Sequence, residues 1–233
     1  MPSRAYINFL YLQSDVTDLT DTHFRATKGS SGRKRLGFLT RSAVVMMCAV
    51  WERYNEDLLI EGINILANHF LDPNYLPKSI KQTISAKVKV DKHELKPLGL
   101  AGDGWKNLWR SYAEQETEKL NTPNSSNLND LFKKYLGIES YVGYWISKNE
   151  INEFIKMRGE IAHKGSQAPY IQMRTLKKYI EMIRSNAIEI DRRFGNYLQG
   201  LTSSADPPWQ LLYPKTLEIY KNEPTKFAGP IVP

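Results

Sequence analysis

Tyr170-Ile-Gln-Met-Arg-Thr-Leu-Lys-Lys-Tyr-Ile-Glu-Met-Ile-Arg-Ser-Asn-Ala-Ile-Glu-Ile-Asp-Arg-Arg-Phe-Gly-Asn-Tyr-Leu198 carries the cleanest apolar pattern in the chain. Met173, Leu176, Ile180, Ile183, Ala187, Ile190, Phe194 and Leu198 recur at intervals of three and four. That period matches the turn of an α-helix and draws one continuous stripe along it. Such a stripe needs other elements to cover it, so the stretch predicts a long helix within a helical assembly.

Upstream, Lys148–Lys164 reads as a second helix, with Ile151, Phe154, Ile155, Ile161 and Ala162 on its apolar side and Pro169 soon after it. Thr40–Leu71 reads as a third and longer one. Its apolar or small positions are Val44, Cys48, Trp51, Leu58, Gly62, Ile65 and Leu66, and Pro73 ends it. Trp105–Leu120 is also helical in pattern, with Trp105, Leu108, Trp109 and Tyr112 on one face. Ile80–Val90 fits either helix or strand. Asn121–Asn129 is rich in turn residues, and Asn127 or Asn129 would cap a short helix at Leu131–Tyr135 that Gly137 terminates. Several long amphipathic helices and few convincing strands predict an all-α bundle. We divide the chain into an N-terminal extension over 1–38, a helical domain over 39–200 and a tail over 201–233. The tail holds half the prolines. Within the extension, Ile7–Leu12 could begin a helix and Lys28–Arg35 reads as an exposed basic loop.

The 233 residues carry a net charge of +7, which favours an anionic partner, and nucleic acid is the commonest. The single cysteine, Cys48, excludes an intramolecular disulfide and a cysteine-based zinc site, and its apolar setting suits a buried small hydrophobe. The longest apolar run, Ala43–Trp51, is too short to span a bilayer, and the first residues lack a signal-peptide core. The chain therefore reads as soluble and cytoplasmic. Gly99–Gly104 lacks the Gly-Lys-Ser/Thr of a phosphate-binding loop. His23, His69 and His93 lack metal-ligand spacing, and Glu56 and Asp57 are adjacent and diverge on a helix, unlike a glycosidase pair.

The candidate chemistry lies in Arg158-Gly-Glu-Ile-Ala-His163, followed by Lys164 and Gly165. Five residues on an ideal helix put the two side chains about 140° apart, so they share no face. They converge only if Arg158 reaches round, if the helix breaks near Gly165, or if two copies meet across a two-fold axis. Counting by three and four from Phe154 and Ile155 lands on Arg158, which puts a guanidinium in the apolar stripe. A buried charge needs a carboxylate, an interface or a phosphate, and Glu52 and Glu160 are the candidate carboxylates. His163 falls near the helix C-terminus, where the dipole favours a protonated imidazole. There it either moves a proton or simply caps the helix.

Arg158-(four residues)-His163, with Ile161-Ala162-His163 ahead of a glycine, resembles the Arg-X(4–6)-His motif of the HEPN superfamily. Val50-Trp51-Glu52-Arg53-Tyr54, Asp103-Gly104-Trp105 and Asn127–Lys134 leading to Leu136-Gly137-Ile138 are similar to the RiboL-PSP-type branch. The resemblance covers about residues 40–200. It implies a HEPN-like bundle of helices, usually dimeric, with two motifs facing one cleft and no cofactor or metal. Many members are endoribonucleases of defence or toxin–antitoxin systems; others bind RNA, nucleotides or protein partners without catalysis. Carried over, Arg158 would hold the scissile phosphate and His163 would act as general acid or base, with Glu52 orienting Arg158. An antitoxin or nucleotidyltransferase partner is also implied. Gly159 departs from the polar residue common after the arginine; it removes a hydrogen-bonding neighbour and opens space for substrate. Glu160 lies inside the motif, while Lys164 and Lys156 either extend a positive cleft or are solvated.

Overall fold

The computed structural model describes residues 1–27 and 36–210. The expected basic loop at Lys28–Arg35 and the tail beyond residue 210 lie outside the described residues. Among the described residues the only regular elements are helices. They are α1 (Arg4–Leu12), α2 (Ser14–Thr27), α3 (Gly37–His69), α4 (Lys78–Val90), α5 (Gly104–Thr117), α6 (Ser125–Leu136), α7 (Lys148–Lys164) and α8 (Met173–Thr202), with four short 3-10 turns between them. The all-α expectation holds.

The 33-residue α3 is the axis of the molecule and packs against α1, α2, α5, α6, α7 and α8. Because partners surround it, it is buried on more than one face, through Val44, Met47, Trp51, Tyr54, Leu58, Ile63 and Leu66 among others. This explains why its apolar positions only partly follow a single stripe, whereas those of α8 follow one closely. Ile65 of the expected stripe is only partly buried. Three polar side chains lock the axis to its neighbours. Trp51 Nε1 donates to the Pro123 carbonyl at 3.1 Å, Tyr54 OH donates to the Ala187 carbonyl of α8 at 2.9 Å, and Tyr141 OH donates to Asn55 Oδ1 at 2.5 Å. Each group would be costly to bury unpaired. At Gly62 the helices α3 and α8 approach so closely that a Cβ would lie 2.4 Å from Phe194 Cζ.

Tyr6, Phe9 and Leu10 of α1 and Val16 of α2 belong to this same core. The start of α1 is held from two sides. Glu61 accepts from the Arg4 and Ala5 amides at 3.0 and 2.9 Å, and buried Asp191 accepts from the amide and hydroxyl of Ser3. Beyond α8, Trp209 is buried against Phe194, and its Nε1 donates to the Asp191 carbonyl at 2.9 Å.

Several local expectations change. Residues 80–90 are helix, because Ile80, Ile84 and Val88 bury one side at intervals of four. The last helix begins at Met173, not Tyr170; Tyr170 is exposed ahead of it. Asn124, rather than Asn127 or Asn129, caps α6, its side chain accepting from the Asn127 amide at 2.9 Å. Gly137 stops α6 as expected, with φ +74° in the left-handed region. Cys48 is buried and unpaired by any disulfide, and burial pushes its thiol up to about 12.

Candidate functional site

The site helix α7 has the bounds that periodicity gives it, and its two ends are held differently. At its start, fully buried Asn186 of α8 accepts from the Ile146 and Ser147 amides at 2.8 and 3.3 Å and donates to the Met182 carbonyl at 2.8 Å. One asparagine thus sets where α7 leaves α8. At its end, Gly165 takes φ +53°, with His163 and Lys164 in the last turn. In its second turn, Asn152 ties α7 to α6: its Oδ1 accepts from the Ser125 amide at 3.0 Å and its Nδ2 donates to Ser125 Oγ at 2.9 Å.

Ile151, Phe154, Ile155 and Ile161 are the buried residues of α7. On an ideal helix they span an arc of about 120° centred on Arg158. The arginine therefore faces the bundle, as the apolar stripe implied, and it is partly buried. Ala162 shares that side but is exposed, because burial ends at Ile161 and the last turn runs past its neighbours. The Arg158 side chain forms no hydrogen bond, and no ion pair within 4.0 Å, with any described residue. The anticipated salt bridge to Glu52 or Glu160 is thus not formed. Glu52 is nonetheless the carboxylate that feels the guanidinium: burial raises its pKa, and the charge of Arg158 acts against that rise.

His163 is exposed on a different side of α7. It lines a cavity of about 600 Å³ between α7 and the start of α6. From α7 the lining comes from Asn152, Ile155, Lys156, Gly159, Glu160, His163 and Lys164, and from the α6 side it includes Ser125 and Ser126. Gly159, Glu160, His163, Lys164 and Lys156 are therefore brought together. Arg158 is not among the residues that line this cavity. Asn152, Ser125 and Ser126 were not anticipated. Residues 27 apart leave no periodic signal of their contact, although an N-cap at Asn124 would have brought Ser125 to a helix start.

A second cavity, of about 640 Å³, lies against α1, α3 and α5 and is acidic, lined by Glu56, Asp57, Glu61, Glu114 and Glu118 with Arg4 and Arg53. Burial lifts Glu56 to about 7, and Asp57 is held by Arg53 at 2.9 Å and Asn8 at 2.6 Å. This lining repels phosphate, whereas the cavity at His163 presents two lysines to one carboxylate. Among the described residues no group of three His, Cys, Asp or Glu side chains could hold a metal ion. No described helix is long and apolar enough to cross a membrane.

The RiboL-PSP-HEPN family model matches residues 10–196. Neither a curated protein nor a solved structure matches the chain. The match spans most of the sequence, and the chain belongs to the RiboL-PSP-HEPN family.

Proposed function

We propose that this RiboL-PSP-HEPN protein is a metal-independent endoribonuclease that works as a pair of copies. The observation that carries the reading is a guanidinium on the bundle side of α7 that makes no hydrogen bond or close ion pair with a described residue, five positions before an exposed histidine in a lysine-bearing cavity. An unpaired, partly buried guanidinium is costly to the fold and gains most from an anion. Two copies would let Arg158 of one act with His163 of the other on a single phosphodiester.

In that cleft an imidazole takes the proton of the 2′-hydroxyl as the 2′-oxygen attacks phosphorus. The bond to the 5′-oxygen breaks, and the leaving oxygen receives a proton from an imidazolium. Arg158 stabilises the charge that builds on the phosphoryl oxygens. The products are a 2′,3′-cyclic phosphate and a 5′-hydroxyl. Glu52 orients Arg158, and Lys164 and Glu160 set the charge at the rim. A defence or toxin–antitoxin role in the cytoplasm, with an antitoxin or nucleotidyltransferase partner, belongs to the same reading.

A non-catalytic RNA-binding or protein-binding module is the second reading. It is favoured by the separation of Arg158 from the cavity that holds His163. One experiment separates the two. Purified protein is incubated with structured RNA in EDTA, alongside His163→Ala. Cleavage that depends on His163 and leaves cyclic phosphate ends supports the nuclease; equal cleavage by both proteins rejects the mechanism. Salt-dependent RNA binding without turnover selects the second reading.

A further inference from the structure

Gly159 sits in the interior of a 17-residue helix, where glycine is less favourable than alanine. Two physical reasons usually keep a glycine in such a place, and neither applies. Its φ is not positive, and a Cβ built on it would meet no atom within 4 Å. The contrast with Gly62 and Gly195 is direct, since there a Cβ would collide with Phe194 or with Trp209. What lies over Gly159 is the cavity itself. Ile155, one turn earlier and 6% exposed, extends the apolar floor, while Lys156 and His163 stand beside it.

We infer that Gly159 and Ile155 form the floor of a pocket for one nucleobase of single-stranded RNA, with Lys156 and Lys164 taking the adjoining phosphates. The volume falls within the range of about 300–1,000 Å³ typical of small-ligand sites. Proteins hold single strands with a basic groove along the backbone and an apolar platform under the base; here the platform is glycine and isoleucine in place of the usual aromatic ring. Glycine keeps that floor flat, because any side chain at 159 would project into the space the base occupies. Ser126 and Glu160 supply the polar groups that would read the edge of the base. The inference rests on the reading that this chain handles RNA, but it does not require that the RNA be cut.

The probe is a labelled ten-nucleotide single-stranded RNA, compared with the same ribose-phosphate chain lacking its bases. The wild-type protein binds the base-bearing strand about tenfold more tightly than the abasic one. Gly159→Leu reduces that binding to the abasic level, while its melting temperature rises because leucine favours helix. Lys156→Ala weakens both strands equally. Equal binding of the two strands by wild type, or an unchanged preference in Gly159→Leu, overturns the inference. If His163-dependent cleavage is observed but Gly159→Leu leaves preference and cleavage intact, the pocket is wrong and the nuclease reading stands. If wild type discriminates the bases and never cleaves, the pocket stands and the nuclease reading falls.

Discussion

Separating Arg158 from His163 within one chain has a quantitative consequence. Five residues of α7 displace the histidine from the arginine by about 7.5 Å along the axis and about 140° around it. On a cylinder of 10–12 Å diameter the two side-chain positions are then roughly 12 Å apart. Groups acting on one phosphodiester must come within about 3 Å of its reacting atoms, so one chain's own pair is poorly placed to serve a single bond. If the working pair is drawn from two copies, Arg158→Ala and His163→Ala each remove both sites of a dimer. Each should lower the cleavage rate by about a hundredfold or more. After subunit exchange about half the dimers are mixed, and each mixed dimer keeps one intact pair of its two, so activity returns to about a quarter of wild type. The assay is cleavage of a fluorescent RNA in EDTA, with exchange followed by native mass spectrometry. A fully exchanged mixture as inactive as its parents refutes the cross-copy geometry, as does appreciable activity in either single variant.

Three further outcomes concern the frame that holds the site. Asn186→Ala strands the Ile146 and Ser147 amides and should cost about 2 kcal/mol or more, lowering the melting temperature by several degrees and loosening the start of α7; unchanged hydrogen exchange at Ser147 would contradict this. Gly62→Ala forces a methyl against Phe194 and should destabilise by about 1–3 kcal/mol in denaturant titrations, since the ring has no free side to move to within the core. Burial raises the Asp191 carboxyl from 3.8 to about 7, against the hydrogen bonds from Ser3. A raised carboxyl contributes stability that is fully present below its unfolded value and is lost as pH climbs to about 7, with a ceiling of ~4 kcal/mol. Asp191→Asn should flatten that slope in thermal melts taken between pH 4 and 8, and an unaltered slope would show that other raised carboxyls, Glu56 and Glu61 among them, dominate it.

The amino-acid sequence by itself determined the helical class, the bounds of α7, the stripe of α8, the stop at Gly137, and Arg158 as a charge set into an apolar face. All of these are local: a repeat of three and four, a glycine in the left-handed region and a count along one helix depend only on near neighbours. Tertiary structure decided the rest. Packing decided that residues 80–90 are helix rather than strand, and the packing of α6 in the bundle, with Asn152 bonded to Ser125, brought its start beside His163. Only the end of burial at Ile161 left Ala162 in solvent, and only the fold placed Gly159 against a cavity. Burial and contact depend on which distant segment arrives at a given face, and no periodicity within a segment encodes the identity of its neighbour.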